Sequence, residues 1–334
     1  MANHNIIDEA TYQTGPTVLP QHSSQHAAEQ SPPHQVRDRY HDAPAANGAI
    51  SVPAENTQSE FPGLPRNKAQ WTLTDIAWHC IDRDAVRSDP FIYYVLAAAS
   101  FVETAADLYT DNLVEHFPDP EARHWLVHHW QPEELQHGRA LRTYVETVWP
   151  EVDWEYAYGG FLEEYSKLCT MEELEPSRAL EMAARCVVET GTSTFYSTLQ
   201  QSATEPVLKH LTGLIRQDEV RHYNHFRHFF QNYQQQEHIG RGGVLLSLYK
   251  RFTEAETEDA YIGFKYAWIM RHPGEEFQTS HFQEFMDSAR TVIAAHYPYR
   301  MLLKMLLQPL NLNRTLVKLS IPLLERAARR FMFS

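Results

Sequence analysis

From Trp71 onward, apolar residues recur at intervals of three and four, glycine is sparse, and no stretch alternates strictly between apolar and polar, so the pattern predicts helices and no sheet. Four long segments stand out. Asp89 or Pro90 starts the first, through FIYYVLAAASFVETAADLYTDNLVEHF, and Pro118 ends it. Its start is apolar on nearly every side, which makes it central. The second runs from Pro120 to Trp149 and contains Pro132, which cannot donate to the carbonyl four residues back and so predicts a kink or a restart before EELQH. The third covers Pro176 to Gln201, and the fourth Glu205 to Gln236, ended by GRGG at 240–243. The expected fold is all-α, a four-helix up-down core over residues 66–240 with a helical extension over 241–334. Residues 1–65, rich in Gln, His, Ser, Pro and Ala without periodic large apolar residues, read as a disordered tail.

Composition narrows the function classes. The 334-residue chain has 43 acidic against 29 basic residues, a formal charge of -14, which argues against duplex nucleic acid as the main partner. Cys80, Cys169 and Cys186 are far apart and odd in number, matching neither a disulfide framework nor zinc-ligand spacing, and they suit a reducing cytosol. The opening MANHNIIDEATYQTG has no charged n-region or apolar h-region, and no apolar run is long enough to span a bilayer. A cytoplasmic protein is expected.

The helical pattern also carries a chemical repeat. Glu134 and His137 are three residues apart, which on a helix puts both side chains on one face; Glu219 and His222 repeat the spacing in RQDEVRHYNHF. Each of the other two helices holds a glutamate in apolar surroundings, Glu103 in AAASFVETAAD and Glu189 in ARCVVETGTSTF. An ionised carboxylate there costs several kcal/mol unless it is paired or metal-bound. The order Glu, Glu-x-x-His, Glu, Glu-x-x-His, one element per helix, is the ligand set of a carboxylate-bridged di-iron or di-manganese centre. Four carboxylates balance two divalent ions, and two imidazoles leave positions open for oxygen or water. For either Glu-x-x-His taken alone, a solvated helix face is the commoner explanation; Glu103 and Glu189, outside any polar stripe, weigh against it. His124, His128, His129 and His228 read as surface or interhelix residues, whereas His225, one turn beyond His222, is a candidate outer partner. Asp218 and Glu133 each precede a ligand candidate, and are either solvated charges or hydrogen-bond acceptors for the ligand imidazoles.

WQPEELQHG at 130–138 resembles the W-x-x-E-E-x-x-H-G motif of the soluble acyl-[acyl-carrier-protein] desaturases, and DEVRH at 218–222 resembles their D-E-x-R-H element. The similarity reaches from Phe91 to Gln236 and is confined to the ligand motifs. It implies a ferritin-like bundle in which Glu103, Glu134, His137, Glu189, Glu219 and His222 hold two iron ions, with manganese as the alternative metal. It also implies that Thr192, one turn after Glu189, lies near the oxygen-binding face; the alternative for Thr192 is a hydroxyl bonded back to its own helix. Gly191 beside it gains nothing for a helix locally and would admit a ligand or a neighbouring helix. The implied activity is O2-dependent oxidation of a fatty-acyl substrate, desaturation first, on acyl carrier protein or another thioester. A di-iron hydroxylase or oxygenase of another substrate, or a ferritin-like iron-binding protein without organic substrate, shares the same ligand set. Electrons would come from an external donor such as a ferredoxin, because the sequence has no flavin or nicotinamide fingerprint, and a homodimer is expected.

Residues 299–334 contain seven Lys or Arg and one acidic residue, Glu325, among Leu, Ile, Met and Phe. Such a basic amphipathic end suits peripheral contact with an anionic membrane or docking of an acidic carrier. A C-terminal helix packed on the bundle with snorkelling cations explains it equally.

Overall fold

In the computed structural model of the protein, residues 70–254 and 258–331 are described, and the tail expected over residues 1–65 lies outside them. Among the described residues the regular elements are all helical. In chain order they are α1 (Arg83–Val86), α2 (Pro90–Thr104), α3 (Ala106–His116), α4 (Pro120–Trp125), α5 (Gln131–Val148), α6 (Trp154–Tyr165), α7 (Arg178–Ser202), α8 (Pro206–Glu237), α9 (Arg241–Glu254), α10 (Glu258–Arg271), α11 (Thr279–His296), α12 (Tyr299–Leu307) and α13 (Arg314–Phe331). A carboxylate followed by proline opens three of them. Asp89, Asp119 and Glu205 each accept two backbone N–H groups of the first turn, and Pro90, Pro120 and Pro206 supply the fixed φ that the turn needs.

Two helices differ from the sequence expectation. The first long segment is divided: α2 and α3 meet at Ala105 (φ -88°, ψ 11°) with a bend of 40°. The N–H of Ala105 is shared between the carbonyls of Phe101 and Val102, which tightens the turn. The bend follows the point where α5 comes closest: a Cβ on Gly138 would lie 2.7 Å from the Thr104 nitrogen and 2.9 Å from its Cα, so only glycine allows this approach. The second segment does not restart at Pro132, and the irregularity expected before EELQH takes the form of a change in helix type. Leu126–Trp130 form a π turn joining α4 to α5, with the Gln131 N–H donating to the Leu126 carbonyl. The wider turn takes up the hydrogen-bond mismatch that proline imposes.

The bundle consists of two antiparallel pairs. Along α2 and α5, Tyr93 meets Trp149 with ring centroids 5.0 Å apart, while Glu103 meets His137. Along α7 and α8, Thr192 meets Glu219, while Gly213 lies under Gln200. One apolar core gathers Tyr93, Leu96, Phe101, Tyr144, Leu199 and Leu211; a second gathers Phe117, Trp125, Met182, Phe226 and Phe229. Along α5, α7 and α8 the buried acids and histidines fall between the stretches that feed these two cores. The extension encloses the bundle, with α10 on α2 and α6, α9 and α12 on α7, and α13 on α12. No single helix among the described residues is long and apolar enough to cross a membrane; α2 and α3 satisfy length and composition only together, and Leu96 and Phe101 are fully buried.

Candidate metal centre

The six acids and histidines singled out from the sequence converge in the middle of the bundle, all of them buried. They form two groups, Glu103–Glu134–His137–Glu219 and Glu134–Glu189–Glu219–His222, and within each the donor atoms lie within 4.8 Å of one another. Glu134 and Glu219 belong to both groups. The helical register explains this. Each Glu-x-x-His puts its imidazole one turn beyond its carboxylate, and antiparallel α5 and α8 set the two motifs face to face.

Both imidazoles present Nδ1 to the centre. His137 Nδ1 is 3.1 Å from Glu219 Oε1, 3.5 Å from Glu134 Oε2 and 3.7 Å from Glu103 Oε2. His222 Nδ1 is 3.0 Å from Glu134 Oε1 and 3.7 Å from Glu189 Oε2. None of these approaches has hydrogen-bond geometry for the ring nitrogen, and Glu189 Oε2 and Glu219 Oε1 are likewise buried without a hydrogen-bond partner. Buried polar atoms are rarely left so. Four orphaned donor atoms aimed at one volume, all nitrogen or carboxylate oxygen, fit divalent transition ions held by two imidazoles and four carboxylates.

The outer nitrogens are held by crossed carboxylates. His137 Nε2 is 3.0 Å from Asp218 Oδ2, and His222 Nε2 is 2.8 Å from Glu133 Oε2, so the acid preceding each motif's own glutamate orients the other motif's histidine. Of the two readings open for Asp218 and Glu133, the hydrogen-bonded one describes both. Arg221 joins the two sides, pairing with Asp218 and, at 3.1 Å, with Glu133. Trp71 Nε1 donates to Asp218 Oδ2 at 2.6 Å while its ring stacks on His137, and Gln70 Nε2 donates to Glu133 Oε1 at 2.6 Å. Carboxylates on the far nitrogen fix the ring orientation and raise ligand basicity, the arrangement usual behind metal-bound histidines. Tyr196 donates to Glu103, and Trp130 Nε1 to Glu189 Oε1 at 3.2 Å.

Four carboxylates around two imidazoles cannot all ionise in a dry interior. Burial, followed by repulsion from Glu219 and Glu103, pushes Glu134 up to about 8, and burial with repulsion from Glu219 raises Glu189 well above the carboxylate range. Glu103 is lowered: burial opposes its ionisation, but attraction to His137 and the hydroxyl of Tyr196 outweigh it. Burial also opposes charge on His137 and His222, yet their carboxylate neighbours raise both well above the usual imidazole value. Protons thus perform in the metal-free chain the charge balancing that two divalent cations would perform on binding.

Thr192 bonds back to its own helix, as one of its two readings has it, and also reaches a carboxylate of the cluster. Its hydroxyl is 2.7 Å from Glu219 Oε2, and 3.3 Å and 3.4 Å from the Glu189 and Val188 carbonyls. Beside it Gly191 is exposed, with open space where a Cβ would stand. His225 is placed away from the donor atoms: its ring stacks on Trp125 at 4.9 Å, and burial with the neighbouring His222 pushes it down to about 3. His124, His128, His129 and His228 belong to neither group. Trp130 and Arg221 lie inside the two motifs, and Tyr196 lies two turns after Glu189, so their roles had a sequence address; Trp71 and Gln70, in a segment without periodicity, had none.

These features define a helical bundle with a buried carboxylate–imidazole centre able to hold metal. The chain matches no protein-family model and no curated protein. The likeness to the desaturases therefore rests on the two sequence motifs alone.

Proposed function

We propose that the chain holds two iron ions in the two groups and acts as an O2-dependent oxidoreductase that removes hydrogen from C–H bonds of a fatty-acyl substrate, with desaturation as the leading reaction. The observation that carries the metal reading is the sharing of Glu134 and Glu219 between two donor groups whose remaining members are one glutamate and one histidine each. Bound iron would supply reductive activation of O2 and one-electron oxidation of an unactivated C–H bond. Desaturation of one C–C bond takes two hydrogens from the chain; with two electrons and two protons from an external donor, O2 leaves as two waters.

The protein's part is to hold and to shield. Asp218 and Glu133 keep Nδ1 of each imidazole directed inward, Trp130 anchors Glu189, and the Thr192 hydroxyl holds a proton against Glu219 Oε2. A cavity of about 350 Å³ at the start of α2 and the end of α7 is lined by apolar Phe91, Ile92, Ala203 and Leu208 and by polar Asp89, Ser202, Thr204 and His296, and a chain entering there would run about three turns along α2 to reach Glu103. Anaerobic titration with Fe(II) tests the metal reading. Two iron ions bind per chain, and Glu134→Ala or His222→Ala loses them; two tightly held irons in either variant overturn the ligand assignment. Exposure of the reduced protein to O2, followed by mass spectrometry of lipids from cells expressing wild type or Glu219→Ala, tests the reaction. A new unsaturated acyl product that the variant lacks supports desaturation. Iron oxidation far beyond two per chain without an altered acyl product identifies storage instead.

A further inference from the structure

We propose that α9 and α13 form a surface that docks the protein on an anionic lipid bilayer. Helix α13 lies on α12, with Arg329 over the Tyr299 ring at 4.4 Å, and its Ile321 is buried, while Leu316, Leu319 and Leu323 on the side opposite Ile321 are 65%, 66% and 70% exposed. Their spacing of three and four residues makes them one row. Leu245, Leu246 and Tyr249 of α9 are exposed as well. Arg241 Nη2 donates to the Asn311 carbonyl at 3.1 Å, which ties the first turn of α9 to the turn before α13, and Leu245 follows Arg241 by one helical turn. The start of α9 therefore lies close to the start of α13. Solitary exposed leucines are ordinary on a soluble surface; a row of three on one helix, with three more exposed apolar residues on a helix that begins nearby, marks a surface with a partner.

Charge identifies that partner. The chain carries -14 overall, yet residues 299–334 hold seven cations against Glu325 alone. Glu325 is turned toward Arg329, 3.0 Å away, while Arg326 and Arg330, three and seven residues past Leu323, stand exposed along the leucine row, and Lys318 is exposed on the flank of α13. Apolar side chains edged by cations along an 18-residue helix, about 27 Å long at the helical rise, match a flat anionic surface better than a compact acidic protein. With no single described helix able to cross a membrane, the contact lies in the plane of the interface.

Co-sedimentation of the full-length, metal-loaded protein with vesicles tests this. The protein binds vesicles of phosphatidylcholine mixed with phosphatidylglycerol at least about tenfold more strongly than phosphatidylcholine alone, because each cation near an anionic surface contributes about fivefold. Raising the salt until the Debye length is about 3 Å removes that preference. The variant Leu316→Asp/Leu319→Asp/Leu323→Asp loses binding by about tenfold or more. Lys318→Glu/Arg326→Glu/Arg330→Glu, which touches only exposed positions, loses the lipid preference. Circular dichroism and metal content report that both remain folded. Failure of the wild-type protein to bind, or undiminished binding by both variants, overturns the proposal. A solution dimer that the leucine variant dissolves, without vesicle binding, overturns it in favour of a second copy of the chain. Glu219→Ala keeps vesicle binding whatever its metal content, so this inference and the metal reading fail separately.

Discussion

Glu205 and the central cluster are both carboxylates buried among apolar side chains, and the protein treats them in opposite ways. Glu205 has every partner it needs: Oε1 accepts from the Val207 N–H, Oε2 from the Leu208 N–H and the Tyr144 hydroxyl, and the Asp82 N–H reaches Oε1 at 3.4 Å. It caps α8 and secures it to α5, with the helix N-terminus supplying the compensating field. Glu181 is completed in the same manner by the Arg185 guanidinium and the Glu175 N–H. In the cluster, by contrast, four donor atoms remain without hydrogen-bond partners although the bundle has hydroxyls, amides and guanidinium groups at hand. Those groups are committed to the outer side, on Asp218 and Glu133. A sequence able to satisfy Glu205 and Glu181 leaves the inner face of the cluster for a cation.

Metal removal should break this contrast most strongly. At a thousandfold excess over its Kd, a site binding only the folded chain contributes about 4 kcal/mol, so a chelator should lower Tm by about 10 °C per site. The loss should depend on pH. In the metal-free chain Glu134, pushed from its usual 4.5 to about 8, and Glu189, also raised, retain protons that the unfolded chain has released, so stability falls as pH rises through that window. His137 and His222, raised above their usual 6.5, add stability that is present below that value and lost as pH rises through their folded values. All four act in one direction, while metal binding strengthens as these protons leave. The Tm gap between metal-loaded and chelated protein should widen from about pH 5 to about pH 8; thermal scans showing a constant gap would sink the idea that protons stand in for cations. Glu205→Ala comes next, at about 1 kcal/mol for the cap and about 2 for the stranded Tyr144 hydroxyl, about 3 in urea unfolding, with metal content unchanged. Loss of metal in that variant would show that the two regions are not independent.

The crossed carboxylates rank third. Asp218→Asn or Glu133→Gln should cost about tenfold to hundredfold in metal affinity while leaving two sites per chain, as a competition titration would measure. An affinity unchanged in both variants would reduce Asp218 and Glu133 to ion-pair partners of Arg221.

The difference between the regions also explains what the sequence could tell. Glu103 and Glu189 were legible because each interrupts an apolar helical face, and Glu134 and Glu219 because the Glu-x-x-His spacing repeats. The all-helical class was legible from the periodicity of those apolar faces. Pro132 was visible, but its effect was not, since whether a helix stops at proline or slips by one residue into a π turn depends on the packing around Leu126 and Trp130. The break at Ala105 left no trace, because alanine favours helix and the bend tracks a close approach by Gly138 from another helix. Trp71 and Gln70 reach the cluster from an irregular segment, through tertiary placement that no local pattern encodes.

Thr192 gives the smallest effect and the finest distinction between holding a metal and using it. Its hydroxyl proton can serve Glu219 Oε2 or a backbone carbonyl of α7, and the shorter distance favours Glu219. Thr192→Val preserves shape and deletes that donor, so stability should fall by only about 1 kcal/mol. Glu219 keeps its place in both donor groups, so two metal ions should still bind. What should change is the rate at which the reduced, metal-loaded protein consumes O2, because the proton nearest a shared carboxylate has been removed, and Thr192→Ser should restore it. If Thr192→Val instead loses metal as Glu219→Ala does, the hydroxyl is part of what holds Glu219 in place; if O2 consumption is unaltered, the bond is only the helix's own.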